Sequence, residues 1–425
     1  RDCLLSRGLG DVYKRQILHF VFWEERENMI QLFKSKTQNK QLLCNYGVFI
    51  INGMLALSIG SLLPYIRDSR GLEYAFCGMI LSLHSVGNLI SGFISGALPA
   101  VLGRKKSILL FNAFFALSYL VIIFSDNNYL LALAFFLTGM ARGATSNFCN
   151  QSINELAPGK ASLLNGLHAM FAIGAFVFPL LLLALTSVDA SNWIYACYFM
   201  LAMGILSWIL YFIVPVSSDT VKKETKTTTA GFAFFKEPLF YLCTLTLFFY
   251  LCAEQGVIGW MITYFKDTGL LPASLSQVTA SVLWIMILAG RLLCAWLSSK
   301  IQKEWLLLIM GFGLVGFFIL LLFSTSTPLI LVGIMGFGFS MAGLYPTTVS
   351  FAGTIIQKYS LAWSFILTIA SFGSILMPSI IGKIAETAGI YYGMQSIIAA
   401  VVIDFICVTL LVRYIRKLRS KNIPV

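Results

Sequence analysis

Charge is what this sequence has least of. Asp, Glu, Lys and Arg make up only 11% of its 425 residues against 58% hydrophobic, and the mean hydropathy of +0.84 lies far outside the range of soluble domains. A polytopic membrane protein is what remains. Histidine is scarcer still, with three in the chain, and the nine cysteines stand singly, mostly inside apolar stretches (Cys44, Cys77, Cys149, Cys197, Cys243, Cys252, Cys294, Cys407), with no CxxC pair. Neither a disulfide framework nor a metal site is supported. No nucleophile sits with a base, so an enzyme is not expected, and no cofactor is implied. The net charge of +12 would suit nucleic acid, but the basic residues occupy short loops between apolar runs, where they set topology instead. The opening stretch RDCLLSRGLGDVYKRQ has no initiator Met, no apolar core of signal-peptide length and no amphipathic face. Residues 1–28 therefore read as a non-native or adaptor-derived tail, and the first Met is Met29.

Apolar runs are abundant. Runs of about 20 residues, enough for a hydrocarbon core of about 30 Å, fall at 42–65, 75–98, 106–125, 129–152, 162–186 and 192–214, then at 238–264, 275–299, 304–324, 328–352, 362–385 and 393–413. These are twelve spans in two sets of six. The only long polar interval, 215–237, joins them and is rich in Thr with mixed charge, as a flexible linker is. The expected organisation is a first bundle over 29–214, a cytoplasmic linker over 215–237 and a second bundle over 238–425. Counting Lys and Arg loop by loop places both termini in the cytoplasm. Arg104, Lys105, Lys106, Lys300, Lys303 and the basic stretch from Arg413 to Lys421 fall on one side, against only Arg67, Arg70, Lys266 and Lys383 on the other. The halves also echo one another at an offset of about 199 residues, which pairs Gly139 with Gly338 and Pro179 with Pro378. The expected fold class is an all-α membrane protein of twelve transmembrane helices in two pseudo-symmetric six-helix bundles, with a site between halves that rock about it.

Polar side chains at mid-span mark candidate positions, because each must face protein or water there. In the fifth span Asn165, His168, Ala172, Ala175 and Pro179 share one helical face, polar at one end and small at the other. In the fourth, Arg142, Ser146, Asn150 and Asn154 recur every four residues; in the eighth, Gln277, Trp284, Arg291 and Ser298 recur every seven. Glu254, near the middle of the seventh span, has to be protonated, paired or wet. A sugar needs aromatic platforms together with amide or carboxylate partners. Tyr250, Trp260 and Trp284 supply the first; Asn150, Asn165, His168, Glu254 and Gln255 supply the second. For Trp260 to join Glu254, Gly256 and Gly259 must unwind the seventh span. The bland readings are a helix-contact hydrogen bond for His168 and a snorkelling or gating role for Arg291, and Arg291 is expected to be structural.

The loop GALPAVLGRKK, Gly96 to Lys106, resembles the GxLxDRxGRK signature of the major facilitator superfamily, retaining Gly96, Leu98, Gly103, Arg104 and Lys105 but carrying Ala100 and Val101 where the signature has Asp and Arg. The resemblance covers the chain after Met29 and implies a cytoplasmic gate motif at Gly96, Gly103, Arg104 and Lys105, weakened by the missing Asp. Narrower strings resemble the fucose, glucose and galactose proton-symporter branch. They match at Asn150, Leu164, Asn165, His168, Phe171, Gly174, Ala175 and Pro179, and at Tyr250, Glu254 and Trp260. Phe178 and Cys252 replace glycines of the branch, and the first span lacks the carboxylate that branch members carry. If a proton is coupled, the titrating group is then Glu254, His168, His84 or Asp404, with Arg142 and Arg291 as possible partners of Glu254; the alternative is a uniporter.

The expectation is a secondary active transporter of the cell membrane that takes up a hexose or similar polar solute with a proton. It would need no cofactor beyond the proton gradient, bind no nucleic acid, and function as a monomer in the lipid bilayer. The alternatives are proton-driven efflux of small amphipathic molecules, or a sensor that kept the fold and lost turnover.

Overall fold

Each apolar run becomes one helix in the computed structural model, which describes residues 35–156, 161–214, 232–298, 300–359 and 361–421. The tail 1–28, the turn at Pro158 and Gly159 and most of the 215–237 linker lie outside the described residues. The first half comprises α1 Lys36–Arg70, α2 Tyr74–Ala97, α3 Arg104–Phe124, α4 Asn128–Leu156, α5 Ala161–Thr186 and α6 Trp193–Ile213; the second comprises α7 Pro238–Thr268, α8 Ala273–Leu297, α9 Lys303–Phe323, α10 Thr327–Lys358, α11 Ala362–Ala388 and α12 Ile390–Ser420. Among the described residues there is no strand. The protein is an all-α membrane protein.

Several helices overrun the apolar runs that define them, because polar caps extend them. Ser35 accepts from the Gln38 amide to start α1, and Gly71, at φ 60°, ends it in the left-handed conformation a side chain would disfavour. Pro238 opens α7 at its first turn, where no amide partner is needed, and Gly269 at φ 66° closes it. Asp189 accepts from the Ser191 amide at 2.8 Å in the turn before α6, and that hydrogen bond holds its carboxyl below the usual range. Eleven of the twelve helices are long and apolar enough by composition to cross a membrane. α4 falls short because it carries Arg142, Asn147, Asn150, Gln151, Asn154 and Glu155. A helix this polar is stable in a bilayer only with its polar face turned inward.

Glycine sets how closely the helices cross. A Cβ on Gly53 of α1 or Gly174 of α5 would run into the other helix's backbone, at Phe171 and Ile50, and Gly87 of α2 and Gly139 of α4 meet at Phe136 and His84 in the same way. The second half repeats the device, with Gly373 of α11 against Phe248 of α7 and Gly338 of α10 against Leu283 of α8. Without a hydrophobic force between helices in lipid, this close approach supplies the packing. It also explains the Gly139 and Gly338 equivalence.

The halves meet through α1·α7, α2·α11 and α5·α8. All three seams are tight at the end of the molecule where α1 stops, called here the Arg67 end. Ser82 and Ser379 hydroxyls lie 2.7 Å apart across α2·α11, and Ser281 donates to the Phe176 carbonyl at 3.0 Å across α8·α5. Beyond them Arg67 binds Asp267, Lys266 reaches Asp68 at 2.8 Å, the Tyr74 hydroxyl donates to Asp267 at 2.7 Å, and the Tyr74 amide donates to Glu386 at 2.7 Å. The opposite end, called here the linker end, is where the chambers described next open.

Candidate functional site

Two chambers lie between the halves, one along each lateral seam. The first, of about 510 Å³ along α2·α11, is lined by Arg142, Asn147, Glu254, Gln255, Tyr345 and Ser371 among others, and shares Arg142, Glu254 and Gln255 with a small deeper space of about 50 Å³ that touches His84 and Trp284. The second, of about 560 Å³ along α5·α8, is lined by Asn165, His168, Arg291, Lys303, Tyr345 and Ser350 among others; a side lobe of about 220 Å³ adds Phe171 and Trp284. Both chambers are within the size range of ligand sites. Gly92 and Ser364 in the first, and Ser298 and Lys303 in the second, lie toward the linker end of their helices, so both chambers reach that end.

Tyr345 lines both main chambers and Trp284 lines the inner lobe of each, so these two rings form the partition. The Trp284 ring packs 5.5 Å from Phe171, and Tyr345 lies 5.9 Å from Tyr250. Trp284 is 8% exposed, and its indole nitrogen is buried with no hydrogen-bond partner among the described residues. A buried donor left without an acceptor costs about 1–3 kcal/mol, and here it borders the space where a solute would supply one.

Glu254 is held from its own helix. The buried Tyr250 hydroxyl, one turn earlier, donates to one carboxylate oxygen at 2.9 Å, and the Gln255 amide approaches the other at 3.4 Å. Arg142 of the other half lines the same spaces and is near enough for Coulombic attraction, without forming an ion pair among the described residues. One carboxyl and one guanidinium thus face a shared space from opposite halves.

Of the residues expected at a site, the structure brings Arg142, Tyr250, Glu254 and Gln255 to the first chamber, Asn165 and His168 to the second, and Trp284 to the boundary. Asn165 and His168 thus line a different chamber from Glu254, with Tyr345 bordering both. Asn165 and His168 are exposed on one face of α5, with the imidazole edge-on to Phe49 at 5.7 Å. Arg291, expected to be structural, opens into the second chamber. Asn150 lines neither; its amide donates to the Ser146 carbonyl of its own helix at 2.7 Å. Trp260 is fully buried in the α7·α11 packing, where its indole donates to the Pro378 carbonyl at 3.1 Å. The unwinding at Gly256 and Gly259 that would bring it to Glu254 does not occur, because α7 is continuous from Pro238 to Thr268; Gly259 instead admits Leu81 of α2. His84 is 2.8 Å from the Thr138 hydroxyl and ties α2 to α4. Asp404 is fully buried in α12 and borders none of these spaces.

In the gate motif, Gly103 adopts φ 78° at the start of α3, Gly96 faces open space, and Lys105 lies over Phe212 at 5.6 Å. Arg104 binds Glu155, and also Ser152 at 3.1 Å, so this loop is fastened to α4 within the first half. Sequence reasoning missed Tyr345, Ser364 and Ser371, which line the first chamber. Tyr345 carries no signal in the sequence, but Ser364, Thr368, Ser371 and Ser374 recur at three- and four-residue steps and make a polar stripe on one face of α11 that could have been found. Sequence reasoning also missed the charge network at the Arg67 end, for which a signal existed: the Arg-Asp pair at 67 and 68 and the Lys-Asp pair at 266 and 267 stand at the repeat offset.

Comparison with known proteins agrees with this architecture. Residues 46–378 match the family described as Major Facilitator Superfamily. Among curated proteins the chain is 25% identical to the glucose/mannose transporter GlcP of Bacillus subtilis, covering 84% of this chain and 93% of that one, and 22% identical to protein TsgA of Escherichia coli, covering 80% and 86%. Among solved structures it superposes on a bacterial homolog of the human lysosomal transporter Spinster with a TM-score of 0.74 at 14% identity, covering 89% and 97%. It superposes on a D-xylose-proton symporter with a TM-score of 0.73 at 13% identity, covering 88% and 97%. These two superpositions bear on fold alone. By the family match over most of its length, its helix architecture and its inter-half chambers, the chain belongs to the major facilitator superfamily, a family of membrane transporters and not of enzymes.

Proposed function

We propose that this protein is a secondary active carrier that moves a hexose or related polar solute inward with a proton by alternating access. The observation that carries the reading is the first chamber, where Glu254 and Arg142 face each other from opposite halves with Tyr250 and Gln255 on the carboxylate and Trp284 at the boundary. Amide, carboxylate and ring partners are what a polyol with apolar ring faces requires. A similar protein, the glucose/mannose transporter of Bacillus subtilis, points the same way.

In this reading the linker end faces the cytoplasm, as the concentration of Lys and Arg there favours, and the structure is an inward-open state. Glu254 carries the coupled proton. Ionised, it attracts Arg142 and holds the halves near one another at mid-depth. Protonated, it releases that attraction and offers its O–H to the solute. A carboxyl that switches between these partners couples a proton to the relative motion of the halves.

Uptake of labelled sugars into proteoliposomes, with and without an imposed proton gradient, tests the reading. Gradient-driven uptake of a hexose that loses its gradient dependence in Glu254→Gln supports it. Uptake of no sugar removes the solute class, and unchanged gradient dependence in the variant removes Glu254 from coupling.

A further inference from the structure

The two chambers are repeat mates, and they differ in charge. At the 199-residue offset Gly92 corresponds to Arg291, Asn147 to Pro346, Ser364 to Asn165 and Leu367 to His168. The first of each pair lines the first chamber and the second lines the second chamber. The architecture therefore supplies two equivalent vestibules at the same depth. If Arg291 and His168 were there only because basic residues crowd that end of the molecule, their mates should be basic too. They are Gly92 and Leu367. Lys303 is different, because its mate Arg104 is also basic, and it belongs to the shared framework of the loops.

Arg291 also stands without a hydrogen-bonding or ion-pair partner among the described residues. It is exposed, and no Asp or Glu lines the second chamber or its side lobe. His168 faces the same space from α5, with Asn165 one turn before it. A guanidinium presents five donors in a fixed fork that fits a carboxylate or phosphate. The imidazole and the Asn165 amide add donors from the opposite wall.

From this asymmetry we infer that the second chamber binds a negatively charged group of the transported solute, a carboxylate or a phosphate, between Arg291 and His168. The inference rests on the carrier reading above and narrows its solute to an acidic sugar: a polyol body beside the partition of Trp284 and Tyr345, and an anionic group on the α5·α8 side. Because α5 belongs to the first half and α8 to the second, an anion held by both draws the halves together at the linker end. Binding thereby favours closure there.

Ligand-dependent thermal stability of the full chain in detergent, with D-glucose, D-glucuronate, D-glucose 6-phosphate and inorganic phosphate as probes, tests this. The predicted result is a preference of about tenfold to a hundredfold for one of the anionic sugars over glucose, the size of one or two charge-assisted hydrogen bonds. The glucuronate and 6-phosphate arms decide between carboxylate and phosphate. The preference should collapse toward unity in Arg291→Gln, shrink in His168→Leu, and persist in part in Arg291→Lys, which keeps the charge without the fork and reports that the fold tolerates change there. Equal affinity for neutral and anionic sugars, or a preference that survives Arg291→Gln, overturns the inference and leaves the carrier reading standing. Arg291-dependent binding of inorganic phosphate with no sugar bound keeps the anion site and removes the sugar reading.

Discussion

Arg67 of α1 binds Asp267 of α7, and their repeat mates bind each other in turn: Lys266 occupies the position of Arg67, Asp68 that of Asp267, and Lys266 reaches Asp68 at 2.8 Å. The latch obeys the same approximate two-fold as the halves. Its two arms are unequal in burial. The Arg67 and Asp267 side chains are only 14% and 12% exposed, whereas Asp68 is 45% exposed. An exposed pair contributes about 0–1 kcal/mol, while removing one member of a largely buried pair costs about 3–5 kcal/mol. Asp267→Asn should therefore open the Arg67 end far more than Asp68→Asn. Each 1.4 kcal/mol lost shifts the open-to-closed ratio about tenfold, readable as labelling of a single cysteine placed inside that end. Exchanging the charges, Arg67→Asp with Asp267→Arg, should restore closure.

At Glu254 the hydrogen bond from Tyr250 gives a graded expectation. Tyr250→Phe removes one donor to a charged acceptor, worth about 1.5–3 kcal/mol, and should reduce the proton-driven component of uptake without abolishing it. Glu254→Gln should leave solute counterflow and remove accumulation against a gradient. Comparing counterflow with accumulation in the two variants checks both.

The glycine crossings predict stability. Gly139→Leu puts a side chain into the His84 backbone and should lower the melting temperature in detergent, with overpacking costs of about 1–3 kcal/mol or more. Gly338→Leu should do the same at Leu283. Gly316→Ala, in open space on α9, should be neutral or slightly stabilising.

The two tryptophans should separate. Trp260→Phe loses the hydrogen bond to the Pro378 carbonyl and should cost about 1 kcal/mol of stability with little change in apparent solute affinity. Trp284→Phe, at the partition of the chambers, should change solute affinity. Thermal denaturation beside transport KM distinguishes the two outcomes.

The fold was legible because membrane spans announce themselves by length and apolarity, and because Gly139, Gly338, Pro179 and Pro378 sit where two like bundles need them. The site was legible in part. Glu254, Arg142, Asn165 and His168 stand out as polar groups at a depth that punishes polarity, and each faces a chamber. Asn150 and Trp260 carry the same signature and do not, because an amide can satisfy itself on its own helix and an indole on a neighbouring carbonyl. Composition cannot distinguish a polar group aimed at water from one aimed at backbone. Tyr345 was invisible for the converse reason, as one aromatic among many in an aromatic-rich chain. The latch at the Arg67 end was written in the repeat, but its cross-pairing needs the three-dimensional two-fold.

Reciprocal motion of the two ends is the claim on which the rest depends. Spin-label distances measured on one protein in bilayers test it: Val101 to Leu361 across the linker end, and Val188 to Thr387 across the Arg67 end, all exposed positions on opposite halves. Adding transported solute at low pH should shorten the first distance and lengthen the second. Distances that stay fixed, or that lengthen and shorten together while uptake proceeds, would contradict alternating access between these chambers and the Arg67 latch.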